Sequence, residues 1–137
     1  MADRVRVMDY FYVVVPDKPG VGASVLGQLK DTGVYQTVIH SFPTGRRAQI
    51  DFFPSNAAAF KAAARNAGWK ATGPKKALVI DGADRTGVLV RYFDKLGKAK
   101  INVTAASALA AGAGRFGAVL WVKQRDVKRA AKALGAG

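Results

Sequence analysis

Two stretches of this 137-residue chain match each other when one is laid over the other at an offset of 67 positions. Asp17-Lys18-Pro19-Gly20-Val21 falls on Asp84-Arg85-Thr86-Gly87-Val88, so that both read Asp-x-x-Gly-Val. Leu29 then falls on Leu96 and Val34 on Ile101, and Gly45-Arg46 corresponds to Gly114-Arg115 after a two-residue insertion. Repetition of this kind limits the fold more than any single residue does. A repeated segment is one supersecondary unit used twice, and each copy must bury its apolar face against something.

The order of elements repeats as well. In the first copy, residues 8–16 are rich in Val and aromatic side chains, which suit a buried strand. Pro19 and Gly20 end it, and a helix follows with Val21, Val25, Leu26 and Leu29 on one stripe, closing near Gly33. Residues 34–42 read as a second strand, Pro43-Thr44-Gly45 as a turn and residues 48–53 as a third strand. Ser55 is placed to cap a helix with Phe60, Ala63, Ala64 and Ala67 on its stripe. Residues 69–72 make a short fourth strand before a break at Gly73-Pro74.

The second copy follows the same plan. A strand at 77–81 leads into a helix with Val88, Leu89, Tyr92, Phe93 and Leu96 on one face. Strands at 101–108 and 116–123 flank a turn at 111–114, and Asp126 caps a last helix with Val127, Ala130, Ala131 and Leu134 at i, i+3, i+4 and i+7. This copy has no counterpart of the fourth strand. The order specifies an α+β fold, a ferredoxin-like βαββαβ sandwich used twice: a first module over residues 1–74 and a second over 75–137 that lacks its last strand. A module of about 65 residues is marginal alone, and residues 10–15 are apolar on both strand faces. Both facts call for packing of copy against copy, and for a homodimer. The second module must borrow an edge or leave one open.

At this point the residues resemble the ACT domain, a small regulatory module attached to many enzymes of amino-acid metabolism. That family reads strand, Asp-x-Pro-Gly-x-Leu, helix, then Gly-Ile-Asn-Ile opening the second strand. Asp17-Lys18-Pro19-Gly20-Val21 with Gly33-Val34-Tyr35-Gln36 is similar to it, as is Asp84-Arg85-Thr86-Gly87-Val88-Leu89 with Lys100-Ile101-Asn102-Val103. Tyr35 stands where the family favours Asn, and Thr86 replaces the proline. The likeness is greatest to stand-alone proteins of two ACT modules. It implies a regulatory protein that binds a small amino acid between modules, near Asp17, Pro19, Gly20, Val21 and Gln36 in the first copy and Asp84, Thr86, Gly87, Val88 and Asn102 in the second. It also implies a separate protein effector, because no enzyme is fused to the modules.

The chemistry of these residue types supports such a site independently. A glycine where a strand turns into a helix lets a ligand approach the backbone, and the free N–H groups and dipole of the helix start suit a carboxylate. Asp17 or Asp84 then meets an ammonium group, and the amide of Gln36 or Asn102 bonds either end.

Charge supplies the alternative. Lys and Arg number 22 against nine acids, all Asp, for a net +13, and 16 of those cations but only four Asp lie in residues 61–137. Such a field draws anions and nucleic acid without defining a site. Arg125, Lys128, Arg129 and Lys132 form two like-charged i, i+4 pairs on the last helix, slightly destabilising unless an anion sits there. The alternative function is therefore a basic nucleic-acid- or polyanion-binding module of the same fold.

Other chemistries are thinly supplied. With no cysteine there are no disulfides, thiolate ligands or cysteine nucleophiles. The single histidine, His40, sits beside Ser41, which a strand turns to the opposite face. Gly20-Val21-Gly22 lacks the third glycine and the distant acid of a dinucleotide fingerprint. Residues 114–121 partly match the third-strand signature of RNA-recognition motifs, but Phe116 and Trp121, five apart, face opposite sides and belong in a core. No apolar run approaches the roughly 20 residues that span a bilayer, and residues 1–16, interrupted by Asp3 and Asp9, do not read as a signal peptide. The expectation is a cytoplasmic protein without catalytic residues, metal, cofactor or membrane partner.

Overall fold

The computed structural model describes residues 3–136. The alternation of Arg4, Val5, Arg6 and Val7 already has the period of a strand, and β1 (Arg4–Pro16) begins there, four residues ahead of the expected start. It is followed by α1 (Val21–Thr32), β2 (Gln36–Thr44), β3 (Arg47–Pro54), α2 (Ala57–Asn66), β4 (Thr72–Ala83), α3 (Val90–Lys98), β5 (Val103–Gly112), β6 (Arg115–Val122) and α4 (Val127–Leu134). The class is α+β, with six strands and four α-helices among the described residues. Contacts divide the chain into a first unit, Asp9–Lys75, and a second in which residues 76–136 group with residues 3–8.

In the first unit the strands lie in the order β2-β3-β1-β4, with β1–β3 and β2–β3 antiparallel. Phe11, Val13, Ile50 and Phe52 turn toward the helices and pack with Val25 and Leu29 of α1 and Phe60 and Ala64 of α2. The stripe of α1 is narrower than expected: Leu26 is exposed. The cap of α2 also moves by one residue. Asn56, not Ser55, takes the extended conformation, and its side-chain oxygen accepts from the Ala59 N–H at 3.0 Å. Asn56→Ala is expected to cost about 1 kcal/mol, a fall of roughly 4 °C in midpoint measurable by differential scanning calorimetry.

The second unit has the same sheet order, read from its own strands: β1-β4-β6-β5, with β4–β6 and β5–β6 antiparallel. The place of a fourth strand beside β4 is filled by residues 4–8 from the start of the chain. Its core gathers Leu78 and Ile80 of β4, Tyr92 and Leu96 of α3, Phe116 and Leu120 of β6, and Val127, Ala130 and Leu134 of α4, with Val5 and Val7 packed against it. Asp3 fixes the strand's start: its carboxylate accepts hydrogen bonds from the Tyr92 hydroxyl and the Arg91 guanidinium and is only 4 % exposed. It lies so close over Gly82 that a Cβ at that position would overlap its carboxyl group.

One expected break is not a break, and one expected cap is not a cap. The segments 69–72 and 77–81 read as separate strands, but β4 runs from Thr72 through Gly73-Pro74 to Ala83 as one element. Asp126 stands at the N-terminus of α4 after a single 3₁₀ turn, yet makes no side-chain cap hydrogen bond; it receives Arg129 at 3.3 Å instead. Phe116 and Trp121 are both buried in β6, which removes the stacking platform that an RNA-recognition strand needs.

Candidate functional site

Both Asp-x-x-Gly loops place their glycine in the left-handed region, Gly20 at φ 89° and Gly87 at φ 73°. Side chains with a Cβ rarely adopt that conformation, so the glycine is a backbone requirement in each copy. The loops then diverge. α1 starts directly after Gly20, with the Ser24 N–H donating to the Gly20 carbonyl at 3.1 Å. The repeat puts Val88 over Val21, but α3 starts two residues later, at Val90. The intervening chain is a run of tight turns, with Val88 N–H donating to the Arg85 carbonyl at 3.1 Å and Val90 N–H to the Gly87 carbonyl at 3.0 Å.

That delay leaves a cleft. Asp84, Arg85, Gly87, Val88 and Leu89 line one side, Ala108, Leu109 and Ala110 of β5 the other, and the buried Phe116 contributes to it; the volume is about 310 Å³. The loop is anchored by the Asp84 N–H, which donates to the Gly114 carbonyl at 2.8 Å. Asp84 and Arg85 thus bring opposite charges to one wall, and Arg85 also reaches the Ala83 carbonyl at 3.4 Å. Of the five second-copy residues singled out in the sequence, Asp84, Gly87 and Val88 meet here. Thr86 is exposed and lies outside the lining, and Asn102 follows the far end of α3. A nine-residue helix spans about 13 Å, too far for one small molecule to touch both Asp84 and Asn102 of the same unit.

The first loop is placed in the same way. Asp17, Pro19 and Gly20 are exposed, Val21 is partly buried against the core, and Gln36 opens β2 at the other end of α1. The Gln36 amide is shielded from water and finds no hydrogen-bond partner among the described residues. Lys128, Arg129 and Lys132 lie on α4, while Arg125, expected on the same helix, sits in the 3₁₀ turn before it; all four are exposed. Arg129 is already committed to Asp126 and, at 2.7 Å, to the Ala99 carbonyl that follows α3.

The lining from β5 and Phe116 was not singled out from the sequence. It depends on the register Ala110↔Phe116 of the β5–β6 hairpin, which no local motif carries. The same holds for His40. No aspartate near it in sequence orients it, but the β2–β3 register pairs it with Asp51, leaving Nδ1 3.6 Å from a carboxylate oxygen. Asp51 is 3 % exposed and accepts from the Gln49 amide at 2.9 Å. Tyr10 is pushed up to about 12 by burial, with the charge of Asp51 and the neighbouring Tyr12 adding to it. No group of three or more His, Cys, Asp or Glu placed to hold a metal occurs among the described residues, and no helix among them is long and apolar enough to cross a membrane.

No family model matches the chain, and no curated protein matches it. Its fold is nonetheless shared with solved structures at low sequence identity. Protein BT0572 from Bacteroides thetaiotaomicron superposes with a TM-score of 0.81 at 11% identity, covering 96% of this chain and 88% of that one. The regulatory subunit of aspartate kinase from Thermus thermophilus, in its ligand-free form, gives a TM-score of 0.66 at 18% identity and covers 98% of this chain and 96% of that one. The corresponding subunit from Thermus flavus gives 0.59 at 17% identity, covering 98% and 94%.

Proposed function

We propose that this chain is a non-enzymatic, cytoplasmic regulatory protein of two ACT-like modules that binds a small amino acid at the Asp84–Gly87 loop. The observation that carries the reading is the cleft: it opens at a glycine-bearing strand-to-helix turn, with Asp84 beside it for an ammonium group and Arg85 and the helix start for a carboxylate. The shared fold of the aspartate kinase regulatory subunits supports a regulatory role.

The active species is a homodimer. Leu89, just before α3, and Val90, Phe93 and Gly97 of α3 form an apolar groove flanked by Asp94 and Lys98, and Val90 is 68% exposed. Asp94 and Lys98 pair with each other at 3.0 Å, so the charges beside the groove are already neutralised and the apolar strip itself is what a second copy covers across a two-fold axis. Antiparallel α3 helices also carry Asn102 of one protomer toward Asp84 of the other, across the gap that one unit cannot close.

The test is a thermal-shift screen of the full chain against the twenty amino acids. A binder raises the midpoint as RT ln(1 + [L]/Kd), about 2.7 kcal/mol at 100 Kd. Asp84→Asn and Gly87→Val are expected to abolish the rise, whereas Asp17→Asn leaves it. Silence across the panel at millimolar concentrations overturns the reading. A polyanion surface on α4 is the weaker reading, because Arg129 is already engaged; it requires nucleic-acid affinity that persists at physiological salt.

A further inference from the structure

We infer that the cleft selects amino acids with an aliphatic side chain and rejects polar ones; this rests on the amino-acid reading above. Its volume of about 310 Å³ lies at the small end of ligand pockets, which run from about 300 to 1,000 Å³, and suits a single amino acid rather than a nucleotide. The charged side chains are confined to one corner. Asp84 and Arg85 are adjacent, so they engage the ammonium and carboxylate that every amino acid shares and confer no preference among them. What remains of the lining is Val88, Leu89, Ala108, Leu109, Ala110 and Phe116, without one polar side chain. Thr86, the nearest hydroxyl on the loop, is outside it.

A ligand side chain that leaves the charged corner therefore meets methyl groups and an aromatic ring. A hydroxyl or carboxylate there gains no side-chain partner from the lining, whereas an alkyl chain gains in proportion to the apolar area it covers. Each buried methylene is expected to tighten binding about fourfold.

Isothermal titration of the full chain with L-alanine, L-α-aminobutyrate and L-norvaline should show that stepwise gain. L-serine should bind no better than L-alanine, and L-aspartate and L-lysine more weakly. Leu109 is 70% exposed, so Leu109→Ala should leave the fold intact, as the unliganded midpoint will show, and should shrink the norvaline-to-alanine ratio by about threefold. Leu89→Ala should shrink it too. Serine, aspartate or lysine binding as tightly as norvaline overturns the selectivity and leaves the sensor standing. A ratio unchanged in both leucine variants overturns the placement of the ligand side chain. Failure of every amino acid to bind removes the sensor itself.

Discussion

Deletion of residues 3–8 is expected to destabilise the second unit by on the order of 4 kcal/mol, a large share of the 5–15 kcal/mol that holds an ordinary domain together. Val5 and Val7 pack against the core cluster of that unit, and two partly buried valines are worth about 2 kcal/mol together. The Asp3 carboxylate contributes comparably, since hydrogen bonds to a charged group are worth roughly 1.5–3 kcal/mol and its removal takes away the acceptor of the Tyr92 hydroxyl, which keeps only the Arg91 guanidinium at 2.8 Å. The Arg4–Asp81 pair, 3.2 Å apart with Arg4 mostly exposed, adds little. Urea denaturation followed by Trp121, with Trp69→Phe to silence the other indole, reads the loss directly. An unchanged urea midpoint would show that this strand is not part of the folded unit.

The same residue gives that unit an acid dependence. Burial alone would raise the Asp3 pKa, but the Tyr92 hydrogen bond and the Arg91 charge outweigh it and hold the group below its ordinary 3.8. A depressed carboxyl stabilises the fold above that ordinary value, and its contribution is lost as pH falls through the lowered one. As pH falls below 3.8, loss of Trp121 signal should therefore be less steep in Asp3→Asn than in the parent chain, with the parent more stable at neutral pH.

The two glycine turns and the helices were legible because their signals are local. Asp-x-x-Gly-Val marks a turn that needs a positive φ, and Gly20 and Gly87 both adopt one. Val25 with Leu29, and Tyr92 with Leu96, lie four apart and are buried together. What was not legible depends on neighbours remote in sequence. Residues 4–7 alternate as a strand does, but the element they pair with is β4, more than 60 residues later, which no local pattern points to. Gly73-Pro74 looks like punctuation, yet the β4–β6 ladder begins only at Leu78, so a proline without an N–H costs that ladder nothing. Gly73 is required there for a different reason: at φ 138° a Cβ would come 2.8 Å from the Tyr10 carbonyl oxygen. The cleft was half legible. Its loop is a motif, but its far wall is set by hairpin register, and its opening by a helix that starts two residues late.

Phe60→Ala is expected to cost the first unit 3–5 kcal/mol, the usual range for emptying a buried aromatic site. Phe60 is fully buried, with its ring centroid 5.0 Å from that of Phe11 and 5.4 Å from that of Phe52. Trp69 stacks on Phe52 at 6.1 Å and reports the change, read in a Trp121→Phe background. Phe60→Leu should recover more than half of the loss, because most of the volume returns. The substitution also separates the two loops. Phe60 belongs to the cluster that holds α1 and β1 and hence the Asp17–Gly20 turn, whereas the Asp84–Gly87 turn stands on Tyr92, Leu96 and Phe116. At 25 °C, with the variant still folded, amino-acid affinity should stay within twofold of the parent if the second loop is the working site. A loss of tenfold or more would assign the ligand to the first loop, and with it the unpartnered amide of Gln36.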